Sequence, residues 1–431
     1  MKIAIAGYGL EGASSYIYYA ADPANEITIV DQHQPKLVLP EGVVTIIGQE
    51  SYRNLNGYDL VIRTAGLAPS KIESDGKIWS ATNEFFAKCP ADIIGVTGTK
   101  GKGTTASLIA SIFEAAGRRV WLVGNIGKPA IEVLSRVKSD DIVVFELSSF
   151  QLWDIEQSPH VAVVLLVEPD HLNVHRDFND YVSAKTNIRR FQAADDLCVF
   201  NPTNAVSLQI AQASDFGVAM RYGVADDGGV YVGGQSFCQL DETICPVDAL
   251  QLIGQHNVDN ACAAISVARF YNLPNGAIEA GLRGFQGLPH RIEFVRLLDG
   301  VKYYNDSFSS APSATVAAIK SFDQPEILIL GGIDKGADFT ELIETIAASA
   351  NLKAIILMGE IRTKLAGLLA ARQVGGVLTT DLIELSPIVN LARDRAVAGD
   401  VIVLSPGCAS FDMFKDFYDR GDQFRAIVNN L

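Results

Sequence analysis

Residues 95–107, "GVTGTKGKGTTAS", have the composition of a phosphate-binding loop. They follow the apolar run "DIIGV" and precede "LIASIFEAAG", whose apolar residues recur at helical spacing. Glycines in such a turn leave backbone N–H groups open to an anion, Lys102 adds a positive charge, and the start of the helix adds its dipole. The loop therefore predicts binding of nucleotide phosphates, and a glycine turn without a ligand is the alternative.

The loop departs from the strict P-loop pattern in two places. Val96 stands where the pattern has its first glycine, and Gly103 follows Lys102 where the pattern has Ser or Thr. Thr104 and Thr105 come one step later and offer hydroxyl oxygens to Mg²⁺. We expect Gly103 to leave the loop functional, and Thr104 to be the hydroxyl nearest the metal and the phosphates.

A second glycine-rich turn lies near the start of the sequence. "IAIAGYGLEGAS" places Gly7, Gly9 and Gly12 in GxGxxG spacing after an apolar run, and Asp31 ends the next such run. That is the context of a dinucleotide-binding turn, in which the N–H groups of a helix N-terminus face a pyrophosphate. From these residues alone, NAD, a UDP-linked sugar and a turn without ligand all stay open.

Polar side chains follow two apolar runs in the middle of the chain. Glu146 ends "VVFE", while His171 and His175 follow "VVLLV". Because ligands of open α/β sheets bind at the carboxyl ends of the strands, Glu146 is a candidate Mg²⁺ ligand and His171 a candidate active-site residue beside Lys102. A satisfied strand-end acid is the alternative for Glu146, and a structural histidine is the alternative for His171.

Three loops of the C-terminal third also follow apolar runs. They are "YYNDSFSSAPSAT", "LILGGIDKGADF" and "IVLSPGCASFDMFKDFYDRG". They carry Asp306, Lys335 and, at the expected start of a helix, Ser410. We expect the three loops to share one edge of a parallel sheet and to form a second binding region.

The elements that must position these residues alternate along nearly the whole chain. Short β-branched apolar runs alternate with segments of helical spacing, which predicts α/β domains with parallel sheets covered by helices on both faces. The segment from about 215 to 252 is rich in Gly and Asp, and we expect a small antiparallel patch there. Proline-containing breaks near "FFAKCPADII" and "FQGLPHRIEFV" predict three domains, at 1–88, 89–287 and 288–431.

Composition narrows the classes of protein to consider. The chain has 431 residues, 48% of them apolar, and a net charge of −15 at pH 7, which argues against nucleic acid and anionic membranes as partners. The six scattered cysteines form no CxxC pair, and no apolar stretch approaches the roughly 20 residues of a membrane span. The start "MKIAIAGYGL" suits a first strand better than a signal peptide, so we expect a cytoplasmic protein with reduced thiols.

These motifs, in this order, resemble the Mur ligase family. The stretches that carry the resemblance span essentially the whole chain. They are "GYGLEGAS", "TGTKGKGTT", "GNIGKPA", "ELSSFQL", "DHLNVH", "YVSAK", "GQHNVDNA", "GLPHRIE", "NDSFSSAP", "GGIDKGADF" and "LSPGCASFDMFKDFYDRG". "ELSSFQL" and the closing stretch are similar to the glutamate-adding branch of the family in particular.

The resemblance implies an ATP-dependent carbon–nitrogen ligase of peptidoglycan synthesis, and hence of cell-wall biogenesis, cell shape and cell division. Such an enzyme phosphorylates UDP-N-acetylmuramoyl-L-alanine with ATP, and the amine of glutamate then attacks the acyl phosphate. The implied domains are a Rossmann-like UDP-binding domain, a P-loop ATPase-like central domain with the antiparallel patch, and a Rossmann-like C-terminal domain that binds glutamate. ATP and Mg²⁺ are the implied cofactors, and we expect a monomer.

The resemblance also assigns roles to individual positions. The UDP and muramoyl positions are Gly7, Gly9, Leu10, Glu11, Asp31, Thr64, Gly66, Asn125 and Ser148. The ATP positions are Gly98, Thr99, Lys100, Gly101, Lys102, Gly103, Thr104, Thr105, Asn260, Arg291 and Asp306. The glutamate positions are Ser310, Lys335, Ser410 and Phe417. The metal positions are Thr104, Glu146, His171 and Lys185, and the last three join Lys102 as the catalytic set.

The resemblance reverses the interpretation of one of these residues. Taken alone, Lys185 in "YVSAKTNIRRF" would be an ordinary solvent-exposed helical lysine. The family has a carbamylated lysine at the matching position, and a carbamate is a carboxylate-like ligand that suits Mg²⁺.

One departure leaves the acceptor amino acid open. Phe308 stands where glutamate-adding ligases usually have Lys. The loop Phe-Ser-Ser-Ala-Pro is similar instead to a branch that adds L-glutamate. D-glutamate and L-glutamate are therefore equally expected at this stage.

Three other functions compete with this interpretation. A folate polyglutamylating ligase shares the GKG loop and the chemistry. An NAD-dependent oxidoreductase would use Gly7, Gly12 and Asp31 but leaves the second loop and Lys185 unexplained. A nucleotide-binding protein without turnover is compatible with the loss of a cation at Phe308.

Overall fold

The structure is a computed structural model that describes residues 1–225 and 228–431. These residues divide into two units, one of 1–250 with 258–285 and the other of 251–257 with 286–431. Among the helices in the described ranges, none is both long and apolar enough to cross a membrane. The predicted boundaries of three domains stay a prediction.

The first sheet has five parallel strands in the order β3-β2-β1-β4-β5. The strands are β1 Lys2–Ala6, β2 Glu26–Asp31, β3 Val44–Ile47, β4 Leu60–Arg63 and β5 Lys77–Ser80, and the helices are α1 Leu10–Ala20 and α2 Ala81–Lys88. The central strands β1 and β4 are apolar because both of their faces are covered. The glycine-rich turn of Gly7, Gly9 and Gly12 follows the carboxyl end of β1, and Thr64 follows the carboxyl end of β4.

The second sheet has six parallel strands in the order β11-β10-β9-β6-β8-β7. The strands are β6 Asp92–Thr97, β7 Val120–Gly124, β8 Ile142–Glu146, β9 Val161–Val164, β10 Leu197–Phe200 and β11 Val218–Arg221. The helices are α3 Lys102–Ala115, α4 Ser149–Leu152, α5 Phe178–Arg190 and α6 Ala205–Ala211. Because β9, β6 and β8 are neighbours, the phosphate-binding loop lies at the same edge as Glu146 and the segment after β9.

A three-stranded antiparallel sheet and two helices follow. The strands are β12 Val230–Gly233, β13 Ser236–Gln239 and β14 Glu242–Pro246, and the helices are α7 Gln255–Phe270 and α8 Asn275–Gly284. The predicted antiparallel patch is therefore confirmed.

The last sheet has six strands in the order β15-β16-β20-β17-β18-β19, with β15 antiparallel to β16 and the other pairs parallel. The strands are β15 Glu293–Leu298, β16 Val301–Asn305, β17 Glu326–Gly331, β18 Leu352–Met358, β19 Val377–Thr379 and β20 Val401–Leu404. The helices are α9 Pro312–Ile319, α10 Thr340–Ala348, α11 Arg362–Ala371, α12 Leu385–Arg393 and α13 Phe417–Asn429. β16, β20 and β17 are adjacent, so the three predicted loops do share one edge.

The fold confirms the predicted α/β class and corrects one helix start. Ser410 does not open a helix, because α13 begins at Phe417 and is capped by the Asp416 side chain, which accepts a hydrogen bond from the backbone N–H of Asp419. The carbonyl of Ser410 accepts from the N–H of Phe414 over 2.9 Å, so a single turn follows it. The N-cap Asp416, six residues after Ser410, thus marks the start of the helix.

Candidate active site

The phosphate-binding loop ends in a backbone conformation that requires glycine. Gly101 caps α3 with φ 86°, a left-handed conformation that L side chains rarely adopt. A Cβ at this position would also lie 2.5 Å from Oδ1 of Asn260, which α7 brings against the loop. The structure therefore places Asn260, one of the predicted ATP residues, directly beside the loop.

Two lysines converge on one carbonyl of this loop. The Nζ atoms of Lys102 and Lys185 both donate to the carbonyl oxygen of Gly98, over 3.1 and 2.9 Å. Lys102 also donates to the carbonyl of Thr99, and Lys185 to the hydroxyl of Thr97 over 3.2 Å. The loop thus gathers two amines at the predicted phosphate site.

Lys185 is buried, with 1% of its surface exposed, so its interpretation as a solvent-exposed lysine was wrong. Burial, reinforced by the charge of Lys102, holds the pKa of Lys185 well below its usual range. Tyr181, one helical turn earlier, places its ring 4.7 Å from the Lys185 amine. The environment therefore favours an uncharged amine, the form of lysine that acts as a nucleophile.

Glu146 ends β8 at the same edge and is 3% exposed. Its Oε1 accepts a hydrogen bond from Nδ2 of Asn125 over 3.4 Å, while Oε2 has no hydrogen-bond partner in the described part of the chain. The hydroxyl of Thr105 is likewise buried without a described partner, whereas Thr104 is partly exposed. A buried carboxylate oxygen without a donor is costly unless a cation binds it, so this oxygen fits a Mg²⁺ ion.

No group of three or more His, Cys, Asp or Glu residues suited to a metal occurs in the ranges that the structure covers. Mg²⁺ is commonly held in proteins through one or two carboxylates together with substrate phosphates. The donors present are the Glu146 carboxylate, the half-exposed His171 ring and the threonine hydroxyls of the loop. The carbamate on Lys185 stays a prediction.

The segments after β8 and β9 are fixed by local structure. Ser148 caps α4 in a capping box with Gln151, so its hydroxyl is already hydrogen-bonded. His171 has φ 52°, an unusual conformation for a residue other than glycine, and its ring lies 4.9 Å from that of Phe150 in α4. The two segments therefore meet, and they bring the predicted muramoyl residue Ser148 near the predicted metal residue His171.

The N-terminal turn is stabilised by its own carboxylates. Asp31 accepts from the backbone N–H groups of Tyr8 and His33 over 2.8 and 3.1 Å. Glu11 accepts from the N–H of Ala65 over 2.6 Å, and burial raises the pKa of Glu11. Asp31 thus fixes the backbone on both sides of this turn through two hydrogen bonds.

The other predicted UDP residues are glycines, an exposed leucine and a threonine that packs on Gly7. Gly7 has φ 95° and packs so closely on Thr64 that a Cβ would overlap the Thr64 hydroxyl. Leu10, at the start of α1, is 73% exposed. Gly9 and Gly66 have open space where a Cβ would lie, which leaves the backbone accessible to a ligand.

Sequence reasoning missed Arg63, the last residue of β4. Its guanidinium is fully buried and pairs with Asp154 through both Nε and Nη2. It also donates to the carbonyls of Leu67 and Phe150, and so joins the predicted UDP loop to α4. The signal was an arginine that ends a buried apolar strand, because a charge there needs a partner.

In the second unit, Asp306 lies at the carboxyl end of β16. Its Oδ2 accepts from the hydroxyls of Ser309 and Ser405, each over 2.6 Å, and Oδ1 accepts from the N–H of Ile292. Burial raises the pKa of Asp306 to about 6. Ser405 was also missed by sequence reasoning, since its partnership with Asp306 depends on the adjacency of β16 and β20.

Phe308 is part of an aromatic group at the same edge. The guanidinium of Arg291 lies 3.9 Å from the centre of its ring, and Phe417 packs edge-on at 5.1 Å. Tyr418 continues the group, with its ring 4.0 Å from that of Phe417. Phe308 therefore presents an aromatic ring on which the Arg291 guanidinium stacks.

The other predicted glutamate residues lie on the loops of this edge. Lys335 is exposed, with its amine 4.9 Å from the ring of Phe411. Ser410 is buried, whereas Ser310 is exposed. Arg420, which was not predicted, is fully buried and donates to both the hydroxyl and the carbonyl of Ser307 and to the carbonyl of Cys408. It ties two of the three loops together.

The predicted site residues thus fall into groups. In the first unit, the residues at one edge of the second sheet are Gly98, Thr99, Lys100, Gly101, Lys102, Gly103, Thr104, Thr105, Asn125, Glu146, Ser148, His171 and Lys185, with Asn260 against them. The residues of the first sheet's turn are Gly7, Gly9, Leu10, Glu11, Asp31, Thr64 and Gly66. The residues of the second unit are Arg291, Asp306, Ser310, Lys335, Ser410 and Phe417.

Comparison with known proteins agrees with these features. The family model of the Mur ligase middle domain matches residues 96–268. The chain is 34% identical over 451 aligned residues to the UDP-N-acetylmuramoylalanine–D-glutamate ligase of Clostridium novyi (strain NT), covering 100% of this chain and 97% of that one. It is 36% identical over 405 residues to the protein of the same name from Clostridium tetani (strain Massachusetts / E88), covering 91% and 87%.

The fold has solved counterparts as well. The MurF ligase of Thermotoga maritima, determined in complex with ADP, aligns with a TM-score of 0.61 at 16% identity over 99% of this chain and 95% of that one. At this identity the likeness concerns the fold alone. With relatives above 30% identity over the full length, the chain belongs to the Mur ligase family.

Proposed function

We propose that this protein is an ATP-dependent ligase that joins glutamate to UDP-N-acetylmuramoyl-L-alanine in peptidoglycan synthesis. The observation that carries the proposal is the edge of the second sheet, where two lysine amines converge on one carbonyl of a glycine loop and the neighbouring strand ends in the buried Glu146 carboxylate. The relatives named for this reaction cover the whole chain, including the first sheet. That coverage disfavours the folate-ligase alternative.

The residues divide the work as follows. The loop N–H groups and Lys102 would bind the phosphates of ATP, and Thr104, Glu146 and His171 would hold Mg²⁺, whose charge would offset that of the phosphates. Asn125 and Ser148 lie beside the muramoyl substrate, whose UDP group binds the N-terminal turn. Transfer of the γ-phosphoryl group of ATP to the substrate carboxylate would give an acyl phosphate and ADP. Attack of the glutamate amine on the carbonyl carbon would then form the amide bond and release phosphate and a proton.

We further propose that Lys185 is carbamylated. An uncharged amine adds to CO₂, which forms an N–C bond and releases one proton, and the product is a carboxylate-like group facing Glu146. The lowered pKa of Lys185 supports this reaction. The protein equilibrated with ¹³C-bicarbonate should show one carbamate carbon signal by NMR that is absent from Lys185→Ala.

We propose D-glutamate as the acceptor, because the curated relatives are named for it. The second candidate is L-glutamate, which the Phe308 ring favours because this position lacks the usual cation. The Rossmann-like domains at 1–88 and 288–431, the central domain at 89–287, the cytoplasmic location and the monomeric state belong to the same proposal.

Phosphate release from ATP tests the proposal. It should require both UDP-N-acetylmuramoyl-L-alanine and glutamate, and one enantiomer should support it far better than the other. Turnover with L-glutamate alone would contradict the D-glutamate assignment. Binding of ATP without any release would favour a nucleotide-binding protein, and tight binding of NADH would revive the oxidoreductase.

A further inference from the structure

His175 contacts the segments that carry Glu146, His171 and Lys185, three of the four predicted metal residues at the edge of the second sheet. Its ring Nε2 lies 2.9 Å from the hydroxyl of Ser149, three residues after Glu146. Its Nδ1 lies 3.0 Å from the carboxylate of Asp180, in the first turn of the helix that carries Lys185. Because a carboxylate only accepts, Nδ1 carries the proton and Nε2 accepts from the Ser149 hydroxyl.

Aromatic packing holds this imidazole in place. The Phe150 ring stacks on it at 5.3 Å with an interplanar angle of 10°, and the ring of Trp153, the residue after α4, lies 4.3 Å away. Phe150 also contacts the His171 ring at 4.9 Å. In addition, the backbone N–H of His175 donates to the carbonyl of His171 over 3.0 Å. Through these contacts, the place of His171 depends on the place of His175.

The Ser149–His175–Asp180 arrangement is not a hydrolytic triad. Ser149 is 2% exposed and His175 3% exposed, so no substrate carbonyl reaches the serine. The serine is also the first residue of α4, next to the capping box of Ser148. The arrangement therefore acts on its surroundings rather than on a substrate.

We propose that His175 is a positioning residue that fixes Glu146, His171 and Lys185 relative to one another, so that a divalent cation and nucleotide phosphates bind between them. The Ser149 bond holds the segment after β8, the Asp180 bond holds α5, and the Phe150 stack holds His171. The inference rests on the proposed function, which supplies the identity of the bound cation and nucleotide. Its physical basis is that partners which orient ligand-bearing groups strongly affect metal affinity.

Binding of Mn²⁺ in the presence of ADP, followed by the electron paramagnetic resonance signal of free Mn²⁺, tests the inference without turnover. His175→Phe keeps the ring packing and removes both hydrogen bonds, and Ser149→Ala removes one of them. Both variants should bind Mn²⁺ roughly 10- to 100-fold more weakly than the unaltered protein, with the larger loss in His175→Phe. His175→Gln, which restores a hydrogen-bonding group, should recover part of the affinity.

His160 supplies a matched control. It also pairs with an aspartate, with Nδ1 2.7 Å from Oδ1 of Asp196, and it packs against Phe270. It precedes β9, whereas His175 follows it, so the two pairs lie toward opposite ends of that strand. His160→Phe should leave the Mn²⁺ affinity unchanged. In turnover assays, His175→Phe should lower kcat while the KM for the UDP substrate stays within about twofold.

Unchanged Mn²⁺ affinity in both folded variants would overturn the inference, as would an equal loss in His160→Phe. Should His175→Phe fail to fold by circular dichroism, Ser149→Ala decides alone. Mn²⁺ binding without any turnover in the unaltered protein would contradict the proposed function. The inference about His175 would then still be decided by comparing the Mn²⁺ affinities of the variants. Absence of Mn²⁺ binding in the unaltered protein would overturn both.

Discussion

The amines of Lys102 and Lys185 donate to the same acceptor, the carbonyl oxygen of Gly98. Two ammonium groups this close repel each other, and the buried one pays the larger desolvation penalty. Lys185 is the buried one, and its pKa is lowered for both reasons. The lowered pKa of Lys185 fits the proposal that this amine, rather than Lys102, is the one modified.

Lys185→Arg should lower the rate of phosphate release at least about 100-fold, although the substitution keeps a basic side chain. A guanidinium stays charged and does not form a carbamate with CO₂ under these conditions. Initial rates of phosphate release at saturating substrates measure the loss. Activity close to that of the unaltered protein in Lys185→Arg would contradict a role for a neutral or carbamylated amine.

The two threonines of the loop should respond differently to substitution. Thr104→Ala should reduce kcat roughly 100-fold or more, because Thr104 is the partly exposed hydroxyl expected next to the metal. Thr105→Val removes a buried hydroxyl that lacks a described partner, so turnover should persist and the free energy of unfolding should stay equal or rise by about 1 kcal/mol. Gly103→Ser serves as the control and should change turnover little. The reverse result, an inactive Thr105→Val with an active Thr104→Ala, would assign the metal to Thr105.

Asp154→Ala should destabilise the protein by about 3–5 kcal/mol, because it leaves the fully buried Arg63 guanidinium without its carboxylate. Arg63 also holds the carbonyls of the predicted UDP loop, so the KM for the UDP substrate should rise more than kcat falls. Urea unfolding and steady-state kinetics give the two quantities. The exposed pair Lys77–Glu156 provides a comparison, since Glu156→Ala should cost no more than about 1 kcal/mol.

Glu326→Gln should change how stability depends on pH. Glu326 begins β17 with 1% of its surface exposed and neither carboxylate oxygen hydrogen-bonded in the described chain, and burial raises its pKa from 4.5 to about 8. Between these values the native state binds a proton that the unfolded state has lost. The contribution of Glu326 to stability should therefore be fully present below pH 4.5 and be lost as pH rises toward 8, by at most about 1.4 kcal/mol per unit.

Asp306 adds a slope of the same sign at lower pH, since its pKa is also raised, to about 6. Lys185, whose pKa is lowered, adds a slope of opposite sign, so Glu326 is isolated by the difference between the unaltered protein and Glu326→Gln rather than by either curve alone. Between pH 6.5 and 8, Glu326→Gln should lose the falling contribution to stability, and the exposed substitution Glu344→Gln should not. An unchanged slope in Glu326→Gln would show that Glu326 is ionised in the native protein.

The sheets could be predicted because strands covered on both faces are continuously apolar, as in β1, β6 and β17. The burial of Lys185 was present in the sequence too. Tyr181 and Ile188 lie four residues before and three after it, which puts all three on one face of α5. The general preference of lysine for the surface obscured that spacing, and the family resemblance was needed to recover it.

Other features depend on contacts between distant segments. The Ser149–His175–Asp180 chain joins three elements whose proximity follows only from the order of β6, β8 and β9. The same holds for the hydroxyl of Ser405 on Asp306, which requires β16 and β20 to be neighbours. Neither strand order nor such pairings can be deduced from the spacing of residues along one segment.

The buried guanidinium of Arg420 has a consequence for inhibitors. It holds the Ser307 and Cys408 loops through three hydrogen bonds, two to oxygens of Ser307 and one to the carbonyl of Cys408. If these loops bind the acceptor amino acid, as proposed, they need little ordering, which lowers the entropic cost of binding. A rigid dicarboxylate analogue shaped to this preformed surface should therefore gain affinity that a flexible one loses.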